Sequence, residues 1–236
     1  MAYAPFSFTS LETCPYSLRA YGIRPFLFLP DVALPYYMGL HKARTPRTKS
    51  EFAAVALRAE QTTLATGDRI LGVDPGTAVT GWGLLELTRK GVMFINAGVI
   101  RTKPSDPHES RLLQLSQGLQ TVIAEYSPNV AAVEEPFFGE NARSALILGQ
   151  ARGALLLTIA QANVPVFSYS PREVKQSATG SGSATKEQVS FMMGRILNLP
   201  DTTRTPNPET RAPFPLDATD ALAIAFCHSL HNRTHP

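Results

Sequence analysis

The segment Arg69–Trp82, Arg-Ile-Leu-Gly-Val-Asp-Pro-Gly-Thr-Ala-Val-Thr-Gly-Trp, constrains the fold more than any other part of the chain. Its apolar run, Ile70 to Val73, stops on Asp74, and Pro75-Gly76 follow at once. A run of that length reads as a buried strand, and a carboxylate at its end must be hydrated or neutralised. Pro-Gly then sets a tight turn, so a second strand through Trp82, Leu84 and Leu85 returns antiparallel beside the first. Asp74 is thereby placed at a sheet edge facing a cleft. Two readings stand: Asp74 caps the turn with its side chain, or it belongs to a site that other acids complete.

The remaining elements follow from periodicity. Val92 to Ile100 reads as a third strand with an irregularity at Asn96, giving three antiparallel strands in succession. His108 to Tyr126 spaces Leu112, Leu115, Leu119, Val122 and Ile123 three and four apart, which predicts a helix with one buried face, ended by Pro128. Val130 to Val133 is a short buried strand that, like the first, runs into acid: Val-Glu-Glu-Pro-Phe-Phe. Asn141 to Asn163 is helical and apolar on nearly all sides, with Gly149 and Gly153 one turn apart. Either that helix is wholly internal, or one face packs on the sheet and another on a second copy of the chain, which a monomeric mass in solution would reject. Val164 to Ser170 is the fifth strand, and Ser170-Pro-Arg-Glu opens a well-capped helix carrying Lys175. Thr179 to Lys186 is a Gly-Ser loop that lacks Gly-Lys-Ser/Thr, so it is not read as a nucleotide loop. Helices over Thr185–Leu197 and from Leu216 onward, separated by the Pro-rich stretch Pro200 to Pro215, finish the chain.

Composition excludes several classes. A net charge of +3 across 236 residues does not announce a nucleic-acid protein, so any basic surface must be local. The two cysteines, Cys14 and Cys227, lie far apart, and His108 and His228 are isolated; a reducing, cytosolic setting without zinc is expected. No apolar run reaches the roughly 18 residues of a membrane span, and the start lacks signal-peptide order. Residues 1–68 differ from the rest: Pro5, Pro15, Pro25, Pro30, Pro35 and Pro46 break every apolar cluster, and only Glu51 to Leu64 suits a helix. This leader is read either as an interaction arm with Phe26, Phe28, Tyr36 and Tyr37, or as a segment upstream of the true translation start. The folded domain is expected over 69–232, with 233–236 as a tail.

Four acids now sit at element ends: Asp74 and Glu134 on strands, Asp217 and Asp220 in the first turn of the last helix, where i and i+3 share a face. If the strands of Asp74 and Glu134 are adjacent and parallel, the carboxylates share one cleft and either take up protons or demand a cation. Oxygen ligands without His or Cys suit Mg²⁺ or Mn²⁺. Two such ions clamp the attacking and leaving oxygens of an in-line displacement at phosphorus, the chemistry of phosphodiester hydrolysis.

The order of elements resembles the ribonuclease H-like fold: α/β, with a five-stranded mixed sheet of three antiparallel strands followed by two parallel ones, flanked by helices. Within it Leu-Gly-Val-Asp-Pro-Gly, Glu134 followed by Phe137, Leu-Gly-Gln-Ala-Arg-Gly (148–153), Val-Lys-Gln (174–176), Gly-Ser-Ala-Thr-Lys (182–186) and Asp-Ala-Thr-Asp-Ala-Leu-Ala-Ile-Ala (217–225) resemble the RuvC family of bacterial Holliday junction resolvases. The resemblance spans about 69–232 and implies roles. Asp74, Glu134, Asp217 and Asp220 would be the catalytic acids and hold two Mg²⁺ ions per site, with Mn²⁺ as the alternative. Phe137 would stack on or wedge between bases near the crossover, and Lys175 and Lys186 would contact the DNA backbone. Adjacent strand residues face opposite ways, so only one of Glu134 and Glu135 can serve, and the choice of Glu134 rests on the match to the family. The resemblance further implies four-way junction DNA as substrate in recombination and repair, paired cuts in two symmetrically placed strands by a homodimer, cooperation with the branch-migration proteins RuvA and RuvB, and a cytoplasmic location.

Two rivals remain at this stage. Asp-Pro-Gly-Thr after a strand also resembles the first phosphate motif of actin-like ATPases and sugar kinases, which need a second lobe. A non-enzymatic junction-binding module with structural acids is the other.

Overall fold

The computed structural model describes residues 63–136, 142–199 and 215–231. The leader up to residue 62, Phe137, most of the Pro200–Pro215 stretch and the 233–236 tail lie outside the described residues, as does the expected Glu51–Leu64 helix except for its last two positions.

Three antiparallel strands come first: β1 (Arg69–Asp74), β2 (Val79–Thr88) and β3 (Gly91–Arg101). Helix α1 (His108–Tyr126) leads to β4 (Val130–Glu134), α2 (Ala142–Gln161) to β5 (Val166–Tyr169), and α3 (Pro171–Thr179), α4 (Lys186–Ile196) and α5 (Leu216–His231) complete the described chain. The sheet order is β3-β2-β1-β4-β5, with β4 parallel to both β1 and β5. The expected irregularity in β3 is a register shift: Leu84 pairs with Asn96, Leu85 with Phe94, and Ile95 is the extra residue.

Side-chain alternation divides the core into two layers. Ile70, Val130 and Ala132 face α3, α4 and α5, whereas Leu71, Val73, Ala131 and Val133 face Leu115 and Leu119 of α1 and Leu155 and Ile159 of α2. Carrying the same alternation forward puts Asp74 and Glu134 on the α5 side.

Two details differ from the sequence reading. The link after Asp74 is wider than a two-residue turn, because β2 begins only at Val79; Thr80 closes it, its buried hydroxyl donating to the Gly76 carbonyl at 2.7 Å. Packing also begins ahead of the boundary expected at Arg69. Leu64 is buried in the α5-side core, the Gly67 N–H donates to the Leu87 carbonyl at 2.7 Å and the Leu87 N–H to that of Asp68 at 2.8 Å, so this segment prolongs the β1–β2 ladder.

Candidate active site

The site lies where β1 and β4 end side by side, under the first turn of α5. The parallel pairing runs from Ile70–Val130 to Val73–Val133, so the next residues, Asp74 and Glu134, stand at neighbouring strand ends. α5 can reach them only because the strands beneath it are bare. A Cβ on Gly81, which pairs with Asp74, would lie 1.9 Å from the Asp217 carbonyl oxygen, and one on Gly72 would lie 1.9 Å from that of Ala221. These glycines let the helix backbone rest on the sheet, bringing Asp217 and Asp220 over Asp74.

Electrostatics report how closely the acids gather. Burial, then the charges of Glu134 and Asp220, with a smaller contribution from Asp217, push the Asp74 carboxyl up to about 8. Burial and Asp220 likewise raise Glu134, opposed by the Lys186 ammonium, by a side-chain hydrogen bond with Asp74 and by Lys175. Lys186 forms an ion pair with Asp220 at 3.1 Å, and that contact raises the lysine in turn. Glu134, Lys175, Lys186 and Asp220 line one cleft, whose apolar walls come from Val174 of α3 and Val189 of α4.

Both lysines are set by helix starts. Ser170 and Glu173 form a capping box with Pro171 in the first turn of α3, fixing the helix that carries Lys175. Thr185 and Gln188 form the equivalent box on α4, which begins at Lys186. Glu135, by contrast, is exposed beyond the end of β4. The structure therefore brings together Asp74, Glu134, Asp217, Asp220, Lys175 and Lys186; Phe137 lies outside the described residues. Sequence reading missed Gly81, Gly72, Thr80 and Arg152, whose side chain reaches the Glu134 carbonyl. Only the repeated glycines of Gly-Trp-Gly, residues 81 to 83, hinted at the first of these.

Among the described residues, no three His, Cys, Asp or Glu side chains form a ready-made cage for one ion. The donor set nevertheless fits hard divalent cations. All four acids offer oxygen alone, and one lysine bonded to Asp220 leaves an excess of negative charge that, after burial, helps push the Asp74 carboxyl up.

Fold and cleft together point to a class, the metal-dependent nucleases of ribonuclease H-like fold. A family profile described as crossover junction endodeoxyribonuclease RuvC matches residues 70–228. The RuvC of Chloroflexus aurantiacus (strain J-10-fl) is 46% identical over 161 residues, covering 68% of this chain and 92% of that protein. The RuvC of Desulforamulus reducens is 44% identical over 165 residues, covering 70% and 95%. Among solved structures, Thermus thermophilus RuvC in complex with Holliday junction substrate superposes with a TM-score of 0.62 at 33% identity, covering 70% of this chain and 95% of that one. The chain belongs to the RuvC family of crossover junction endodeoxyribonucleases. Its activity is that of the family, metal-dependent endonucleolytic resolution of Holliday junctions in DNA recombination and repair.

Proposed function

We propose that Asp74, Glu134, Asp217 and Asp220 are the catalytic acids, that they hold two Mg²⁺ ions, with Mn²⁺ able to substitute, and that a homodimer uses two such sites to nick opposite strands of one four-way junction. The observation that carries this reading is the convergence of acids from the ends of β1, β4 and α5, which, after burial, pushes the Asp74 carboxyl up to about 8. Bound there, the ions supply Lewis acidity toward the scissile phosphate and lower the pKa of the attacking water. Asp74 and Glu134 hold their carboxylates at adjacent strand ends. Asp217 and Asp220 bring two more from the first turn of α5, and Asp220 lines the cleft with Glu134 beside Val174 and Val189. Lys186 exchanges its bond to Asp220 for a backbone phosphate of the DNA, and Lys175 offers a second ammonium along the same wall. Phe137, three residues beyond Glu134, is assigned to stacking on bases at the crossover.

A second copy is supported by α2. Ala151, Leu155 and Ile159 are buried, while Leu146 and Leu157 on the same helix are exposed and open space surrounds Gly149 and Gly153. Twofold symmetry on this face gives two sites for two equivalent strands, leaving ends a ligase can seal. Assembly with RuvA and RuvB and action in the cytoplasm complete the proposal; among the described residues no helix is long and apolar enough to cross a membrane.

The test is a synthetic four-way junction with and without Mg²⁺. Asp74→Asn is expected to bind the junction with unchanged affinity and to cut it about 10³-fold more slowly. Wild-type cleavage by this variant would reduce the acids to structural residues.

A further inference from the structure

Glu134 sits where the sheet stops supporting β4 on one side. β1 pairs with β4 only as far as Val73–Val133, and the residue after Asp74 is Pro75, which has no N–H to give. On the other side β5 still pairs, Glu134 with Tyr169, and the Glu135 N–H donates to the Tyr169 carbonyl at 2.8 Å. Beyond it Pro136 again cannot donate. A strand end held from one side alone is more open to fraying than the strand behind it, and fraying would swing the Glu134 carboxylate out of the cleft.

One side chain closes this gap. Arg152, on α2 in the opposite helical layer, donates from Nε to the Glu134 carbonyl oxygen at 3.1 Å and from an Nη to the Ser168 hydroxyl of β5 at 2.7 Å. Ser168 pairs with Val133, so the guanidinium ties β4 and β5 together at the last two rungs of their ladder. Its neighbours Ala151 and Leu155 are fully buried against the sheet, which fixes the helix that presents it. Arginine suits the task because its planar fork addresses two acceptors at once, where a lysine ammonium offers a single point.

We infer that Arg152 is a positioning residue: it locks the terminal carbonyl of β4 and thereby aims the Glu134 carboxylate, on the other face of the sheet, at the metal ions. This rests on the reading of Glu134 as a metal ligand and extends it to the group that orients the ligand. It also gives α2, the proposed dimer helix, a direct bond to the catalytic strand.

The experiment compares Arg152→Ala, Arg152→Lys and Glu134→Gln in the full-length protein by three readouts: thermal unfolding in EDTA, Mn²⁺ binding to the DNA-free protein by calorimetry, and the Mg²⁺ dependence of junction cleavage. Arg152→Ala is expected to weaken Mn²⁺ binding and to raise the Mg²⁺ concentration for half-maximal cleavage, each by about 10- to 100-fold. Junction affinity stays unchanged, and Arg152→Lys recovers part of the loss. Arg152→Ala with wild-type metal binding and Mg²⁺ dependence overturns the inference, and so does a loss of folding that Arg152→Lys fully restores with no metal defect in either soluble variant. If Glu134→Gln itself binds Mn²⁺ and cuts normally, the reading of Glu134 fails first, and the role of Arg152 falls with it.

Discussion

Asp74 pairs through its backbone with a glycine, sits under a helix start and keeps its proton to about 8. An unfolded chain gives up that proton near 3.8. Between those values the folded state binds more protons than the unfolded one, so the stability associated with the neutral carboxyl is present at low pH and is lost as pH climbs through the window. A side chain that cannot ionise escapes this loss. Asp74→Asn is therefore expected to raise the thermal midpoint in EDTA at pH 9 by a few degrees, with the gain shrinking toward pH 4. Equal midpoints at pH 9 would show that neither burial nor the neighbouring acids raise Asp74 in the folded chain. Lys186 belongs to the same balance: its side chain is 68% exposed, so its pair with Asp220 is a loose counter-charge, easily exchanged, and contributes little to stability.

At the scale of elements, α5 is the piece that turns two strand ends into a site. It lies on β1 and β2 through Gly72 and Gly81, and its far end is tied to β5 by the Tyr169 hydroxyl, 2.8 Å from His228 Nδ1. Burial holds that histidine neutral, down to about 4. A methyl group on Gly81 must displace the Asp217 backbone. Gly81→Ala is expected to cost about 1–3 kcal/mol and to reduce cleavage more than that loss of folded protein explains, measured by denaturant unfolding beside single-turnover kinetics. Cleavage falling only in step with the folded fraction would contradict this. Much at this level was legible in sequence. The 3.6 period and Pro128 delimit α1 at His108 and Tyr126, where the structure has it, and the condition placed on the two acid-ended strands, that they be adjacent and parallel, is met by β1 and β4. Alternation said only that one of Glu134 and Glu135 can serve, and the choice of Glu134 rested on the family resemblance; Glu135 is exposed beyond the end of β4. The Asp217–Gly81 approach and the Arg152 bond to Glu134 were not legible, because each joins residues far apart in sequence through backbone atoms that carry no side-chain signal. The Pro-Gly turn was read too tight, since a side chain four residues on, Thr80, sets its width.

For the whole molecule, the consequence is a site that no single segment contains. Its acids come from positions 74, 134, 217 and 220, and only the β1–β4 pairing together with the descent of α5 unites them. The two faces of the sheet divide the labour: α3, α4 and α5 build the cleft, whereas α1 and α2 cover the other side and leave Leu113, Leu146 and Leu157 exposed. Arg152 bonds α2 to the end of β4, whose Glu134 carboxylate lies on the α5 side. The central claim, that the four acids bind the catalytic ions, is tested most directly by anomalous diffraction from crystals grown with Mn²⁺. Manganese peaks among the carboxylates of Asp74, Glu134, Asp217 and Asp220 are the predicted result; peaks only elsewhere, at a Mn²⁺ concentration that supports cleavage, would contradict it.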